Sequence, residues 1–311
     1  MKNRIAVIVT VIFSIICNFS LAQISYNETR YRSFYDAMPG KHSVKTIRLS
    51  TGVQLEYAEQ GDMSGIPVIF LHGLSDSWHS FETTLPLLPG NIHAFAITQR
   101  GHGNSSKPEN GYSPANFAAD VAAFIREKKL GSVFIAGHSM GGVHAQQIAL
   151  NYPQLIKGLV IIDSDPAFRD NKGMPEFYEE VLKLDDDVIE REFMDEFQKS
   201  TLAKPIDSLY YDLLVNEGLK VPPGVFKAAL KGIMEVDFSG QLENINAPVL
   251  IFWGERDSFC GRDDQDRLVK GIKNARLVVY EGTGHALHWE ETKRFADDLT
   301  VFINKVTKIN L

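Results

Sequence analysis

Ser139 stands inside Gly137-His138-Ser139-Met140-Gly141, a G-x-S-x-G pattern. A serine hydroxyl is a weak nucleophile until a neighbouring base takes its proton. The flanking glycines fit a turn too tight for side chains two positions either side of the serine. Histidine suits the base, because its charge changes near neutral pH. A carboxylate must then fix the imidazole tautomer and stabilise the cation. The chain offers both partners late, in Gly254-Glu255-Arg256-Asp257 and in Glu281-Gly282-Thr283-Gly284-His285. Ser139, Asp257, His285 is one of the chain orders in which such triads occur. Asp163, at the end of an apolar run, competes with Asp257 for the acid's place, and Glu255 sits wrongly in its turn. Of nine histidines, His285 has the best context, with His288 its near rival.

Acyl transfer also needs donors aimed at the developing oxyanion. After the elbow serine comes Met140, whose backbone N–H is one candidate. The other is the N–H of Leu74, in His72-Gly73-Leu74, directly after the apolar run Ile66–Leu71. His72 is read as bracing that loop. Trp78 and His79 follow where a helix starts, and either line the pocket or anchor the helix.

These residues must be held by a scaffold, and the patterning indicates which. Val44–Leu49 and Val53–Glu59 alternate around Ser50-Thr51-Gly52, a hairpin signal. Continuous apolar runs occur at 66–71, 92–97, 132–136, 158–162, 249–253 and 276–280, as expected of strands buried on both faces. Helical patterns separate most of them. Ser113-Pro114 starts one, with Ser as cap and Pro in the first turn, running to Leu130. Such alternation predicts an α/β fold with a mostly parallel sheet covered on both faces. Every candidate group then falls just past the end of a buried strand, on one edge of the sheet. The rhythm breaks over 169–245, which is charged, helical in pattern and punctuated by Pro175, Pro205, Pro222 and Pro223. This segment reads as a helical cap (lid) inserted into a core of 44–168 and 246–311, with 23–43 a loose leader.

Composition excludes other classes. The 311 residues are 44% hydrophobic and 23% charged, ordinary for a globular protein. A net charge of −7 gives no cationic surface for nucleic acid or anionic membranes. Lys2 and Arg4 precede the apolar run Ile5–Cys17, and Ser20-Leu21-Ala22 offers small residues before Gln23. Residues 1–22 thus read as a secretory signal peptide cleaved after Ala22, which implies secretion or a periplasmic location with no stable membrane insertion. Cys260 would then be the mature chain's lone cysteine, excluding a disulfide scaffold and a thiolate metal cluster. No histidine pair has zinc spacing with a supporting carboxylate, and no dinucleotide fingerprint is complete, so neither metal nor cofactor is expected.

The chain resembles the α/β-hydrolase fold family over roughly Val44 to Val306. The resemblance rests on His72-Gly73, on Arg100-Gly101-His102-Gly103-Asn104-Ser105, on the elbow, on Gly254-Glu255-Arg256-Asp257 and on Gly284-His285. It is nearest to the bacterial serine branch with a helical cap, which holds esterases, lactonases, haloperoxidase-like enzymes and C–C bond hydrolases. The resemblance implies an eight-stranded sheet. It carries nucleophile, acid and base to Ser139, Asp257 and His285, and the oxyanion donors to the backbones of Leu74 and Met140. Relatives often have Asp where this chain has Thr98, which puts the anchoring of the Arg100–Ser105 loop in question. Arg100 and His102 are read as bracing it.

The expected function is hydrolysis of a small carboxylic ester or lactone. Phe168, Phe177, Phe193, Phe197, Tyr210, Tyr211 and Phe226 give the cap an apolar inner face, favouring acyl or aryl groups. Trp78, Phe168, Phe259 and His288 are the candidate pocket residues. C–C bond hydrolysis or perhydrolysis by the same triad is the alternative, and a ligand-binding protein on this fold a second. The sequence is silent on oligomeric state.

Overall fold

A computed structural model describes residues 42–309. The signal-peptide reading, and nearly all of the leader, lie outside the described residues. Eight strands form one sheet: β1 (Ser43–Arg48), β2 (Gln54–Gln60), β3 (Ile66–Leu71), β4 (Ile92–Ile97), β5 (Val133–His138), β6 (Ile156–Ile162), β7 (Val249–Gly254) and β8 (Ala275–Tyr280). Their order is β1-β2-β4-β3-β5-β6-β7-β8. β1 and β2 form the expected antiparallel hairpin, β2 pairs antiparallel with β4, and the remaining pairs are parallel.

β4, β5 and β7 are buried at every position, as their unbroken apolar runs require. Alternate side chains enter opposite layers. Ile69, Leu71, Ile135, Leu159 and Ile161 pack on one face with Phe117, Val121, Phe124 and Ile148. These last come from α1 (Pro114–Glu127) and α2 (Met140–Asn151). Val68, Phe70, Phe134, Val160 and Phe252 pack on the other with Phe295, Leu299 and Ile303 of α9 (Thr292–Ile309). Burial of each such side chain contributes on the order of 2 kcal/mol before entropy is counted.

Between β6 and β7 lie four helices, α3 (Met174–Leu182), α4 (Arg191–Ser200), α5 (Ser208–Gly218) and α6 (Pro223–Glu235), where the charged pattern predicts them. α7 (Arg262–Gly271) joins β7 to β8, and the one-turn α8 (Leu287–Glu290) follows His285. Three local expectations are corrected. Helix α1 ends at Glu127 rather than Leu130, because Lys129 and Gly131 take left-handed φ values of 55° and 70°. Ser113 sits at the N-cap, but its hydroxyl donates to Asn116 Oδ1 at 2.7 Å and caps no backbone N–H. Trp78 opens a single 3-10 turn, Trp78–Phe81, rather than a full helix.

Candidate active site

The strand order reverses between β4-β3 and β3-β5, and ligands of open α/β sheets bind at such a switch, past the carboxyl ends of the strands. Leu71, the last residue of β3, pairs with Gly137 of β5. The loop after β3 and the turn after β5 therefore leave the sheet side by side.

Ser139 forms that turn, with φ 51° and ψ −118° between the end of β5 and the start of α2. A non-glycine residue there costs on the order of 1–3 kcal/mol and persists only when its surroundings hold it. Here Ser139 N donates to Ile162 O at 2.9 Å, while Ser139 O accepts from Gly142 N and from Ser164 Oγ, both at 2.8 Å. Space explains the glycines. A Cβ on Gly137 would stand 2.2 Å from Gly141 O, and one on Gly141 would stand 2.3 Å from Leu71 O. The second contact presses the N-terminus of α2 against the strand that leads to Leu74. The N–H groups of Leu74 and Met140 donate in none of the turn, loop or cap hydrogen bonds among the described residues.

His285 and Asp257 meet. Nδ1 of His285 lies 2.9 Å from both carboxylate oxygens of Asp257. Oδ1 of Asp257 also accepts from Phe259 N at 2.8 Å and Cys260 N at 3.1 Å. The pair is sealed from water, with side-chain exposures of 5% for His285 and none for Asp257. A carboxylate so placed fixes the proton on Nδ1 and leaves Nε2 as a lone-pair base. The loop is pinned from behind: Glu290 accepts from Gly284 N at 3.1 Å and from Ala203 N at 2.7 Å. Sequence reasoning missed Glu290, whose only signal was its place on the turn after the histidine.

Asp163 serves differently. Its Oδ1 accepts from Gly254 N at 2.7 Å, while Nδ1 of His285 pairs with Asp257 instead. Burial, and then the negative charge of Asp257 beside it, hold its pKa well above the usual carboxylate range. Both effects favour the protonated form of this carboxyl, which lies behind the acid that His285 meets. Cys260 is buried, with its thiol 3.5 Å from Asp163 O and its pKa pushed up by burial. Donor atoms of Asp257, Cys260 and His285 lie within 4.8 Å of one another. That trio is a poor metal site, because the carboxylate and Nδ1 are already paired and the thiol resists ionisation.

The bracing residues do brace. His72 Nδ1 donates to Gly73 O at 2.7 Å, and its Nε2 accepts from Gln99 N at 2.9 Å. Arg100 grips Asp120 of α1 with Nε and Nη2, each at 2.6 Å. Thr98 anchors its loop without a carboxylate, accepting from Trp78 N through Oγ1 at 3.1 Å and from Ser105 Oγ through its carbonyl at 2.6 Å.

The pocket candidates separate. Phe259 lies with its ring 4.8 Å from that of His285 and lines a groove of about 340 Å³. Met174, Phe177, Phe193 and Phe197 line it too, beside the charged Lys172 and Glu196. The other three lie elsewhere. Phe168 is core. Trp78 is buried against His79, and His288 is buried with Nε2 3.1 Å from Ser80 Oγ. Of the expected inner face of the inserted helices, Phe226 is also core, and Tyr210 spends its hydroxyl on the carbonyls of His79 and Ser80.

Comparison with known proteins agrees with this frame. The family model described as "Hydrolase_4: Serine aminopeptidase, S33" matches residues 66–293. A non-heme chloroperoxidase of Streptomyces lividans is 28% identical over 83% of this chain and 99% of its own length. Lipase 3 of a Moraxella strain is 24% identical over 94% of both chains. An esterase from Exiguobacterium antarcticum superposes with a TM-score of 0.77 at 22% identity, over 84% of this chain and all of that one. The chain is therefore an enzyme of the α/β-hydrolase family, in the company of esterases, lipases and haloperoxidases.

Proposed function

We propose that this chain hydrolyses a carboxylic ester or lactone carrying an apolar acyl or aryl group, by way of an acyl-enzyme. One observation carries the reading: His285, held by both oxygens of Asp257, comes from the same sheet edge as the strained Ser139 turn. Ser139 Oγ attacks the carbonyl carbon while its proton passes to His285 Nε2. The N–H groups of Leu74 and Met140 receive the oxyanion. As the intermediate collapses, the bond to the leaving oxygen breaks and His285 returns the proton to that alkoxide. Water then repeats the sequence on the acyl-enzyme, releasing the acid and restoring Ser139. Asp257 orients the imidazole throughout.

The groove supports an apolar substrate part. Its wall of Phe177, Phe193, Phe197 and Phe259 has no dense array of donors for a sugar or phosphate, and Phe259 connects it to His285. On this reading helices α3–α6 act as a lid, and residues 1–22 direct export, leaving a mature chain that begins at Gln23. The mass of the exported protein tests the last point.

The function is tested by a hydrolysis screen over p-nitrophenyl esters, lactones and acyl-homoserine lactones, with Ser139→Ala as control. The variant is expected to lose turnover by about 10³-fold or more and to resist fluorophosphonate labelling. Hydrolysis that survives the substitution would exclude the scheme. Perhydrolysis by the same triad is the second reading, favoured by the name of the Streptomyces relative. Peroxide-dependent halogenation exceeding ester turnover would select it.

A further inference from the structure

A group of buried polar atoms beside the site takes no part in the scheme above. His138 precedes the nucleophile, and its Nε2 lies 2.9 Å from the backbone carbonyl of His285. A carbonyl oxygen only accepts, so Nε2 bears the hydrogen. Burial first, then the neighbouring His288 and His285, hold the His138 pKa well below its ordinary value, so the ring is neutral. Its Nδ1 is therefore a bare lone pair, buried and without a hydrogen-bond partner. Such an atom costs on the order of 1–3 kcal/mol unless something donates to it.

Asp76, on the loop after β3, faces it. Oδ2 of Asp76 stands 3.9 Å from His138 Nδ1. Gly73 keeps the gap clear, since a Cβ there would lie 2.9 Å from Nδ1 and 3.3 Å from Oδ2. Were Asp76 ionised, two lone pairs would oppose each other with no hydrogen between them. The rest of its surroundings are neutral donors. Ser80 Oγ donates to Oδ2 at 3.3 Å, and Gln198 of α4 donates from Nε2 to Oδ1 at 3.1 Å and to Ser75 Oγ at 3.3 Å. Ser80 Oγ in turn lies 3.1 Å from His288 Nε2 and 3.2 Å from Trp289 Nε1. The titratable groups around Asp76 are His138 on β5, and His285 and His288 beyond β8.

We propose that Asp76, in its protonated form, is a positioning residue that donates its O–H to His138 Nδ1. It thereby ties the inserted helices and the oxyanion loop to the backbone that carries His285. Catalytic hydrogen bonds often stand long without substrate and tighten in the complex. The proposal rests on the serine-hydrolase reading for its effect on rate, though not for its effect on the folded state. Burial outweighs the stabilising hydrogen bonds from Gln198 and Ser80 and pushes the Asp76 pKa up to about 7. The working form is thus the one present in mildly acidic solution.

The test compares wild type, Asp76→Asn and Asp76→Ala with a p-nitrophenyl ester across pH 5–9. Asn carries a permanent N–H where the acid has its proton. Asp76→Ala is expected to lower kcat by about 10²-fold with little change in KM. Asp76→Asn is expected to recover most of that loss and to lack a decline in kcat that wild type shows as pH rises past about 7. An alkaline decline shared by wild type and the Asn variant would overturn the proposal. A second readout needs no activity and is made in the Ser139→Ala background. The ¹⁵N resonance of His138 Nδ1 should lie upfield at pH 5, where it accepts a hydrogen bond, and move downfield by pH 8. An Nδ1 resonance that stays put over that range would overturn the proposal even if every variant misfolded. A chain with no esterase activity but a moving resonance would instead condemn the functional reading alone.

Discussion

The wall of the site that carries His285 and the wall that carries the oxyanion loop differ in how fully their polar atoms are paired. On the first, Asp257 Oδ1 takes three donors, Asp163 Oδ1 accepts from Gly254 N behind it, and Glu290 closes the loop from the rear. On the second, His138 Nδ1 and Gln198 Oε1 are buried without partners, while the unpaired atoms of the first, Asp163 Oδ2 and His288 Nδ1, lie outside the Asp257–His285 contact itself. A fully satisfied network has one low-energy arrangement, while a partly satisfied one gains by rearranging. The comparison teaches that the proposed base is preorganised, whereas the proposed oxyanion side has room to tighten when substrate or the inserted helices close upon it.

The contrast can be broken at several depths. Asp257→Asn presents the wrong hydrogen-bonding partner to His285 Nδ1, and kcat is expected to fall about 10⁴-fold, measured on the best ester of the screen. Asp120→Ala attacks the anchoring of the other wall by leaving Arg100 buried and uncompensated. It is expected to cost about 3–5 kcal/mol of unfolding free energy in urea titration. Phe197→Ala opens the groove, and kcat/KM for bulky apolar esters should fall by about tenfold while acetate esters change little. Smallest is Asp163→Asn, which keeps a neutral group of the same shape, and kcat at pH 7 should stay within about threefold of wild type. A loss as large as that of Asp257→Asn would mean that Asp163 is the working acid, and the comparison between the walls would fail.

Stability carries a pH signature of the same asymmetry. Asp76 and Asp165 both have pKa values raised to about 7, chiefly by burial. A carboxyl raised on folding keeps its proton after the unfolded chain has lost it. Its contribution is therefore complete below about pH 4 and is lost as pH rises toward 7. The melting temperature of wild type should fall relative to that of Asp76→Asn as pH rises across that window, and the two should run parallel above it.

The sheet, its order and the inserted helices were legible because buried parallel strands demand unbroken apolar runs, which the strands at 92–97 and 249–254 display. The elbow was legible for a steric reason, since only glycine fits where 137 and 141 touch backbone oxygens. The acid between Asp163 and Asp257 was not settled by sequence, because both end adjacent strands and only contact tells which one the imidazole meets. Asp76, Gln198 and Ser80 gave no periodic signal. A carboxyl in the loop after β3 reads as solvated until burial places it beside His138. Phe168 and Phe259 are the same residue type, and which one borders the groove depends on the path of the chain around the inserted helices.

The pairing of Leu71 with Gly137 closes the β3–β5 ladder, and the proposed nucleophile and oxyanion donors follow that last rung. A single-residue deletion within either strand would shift one partner by about 3.3 Å while leaving the apolar layers able to repack in part. Such a chain is expected to remain folded enough to express and yet be inert. Insertions at the exposed residues 185–188 between α3 and α4, which touch no rung, should be tolerated. For anyone splicing this scaffold, the permissible seams lie in the helical segment and the forbidden ones in the two six-residue strands that meet at Leu71 and Gly137.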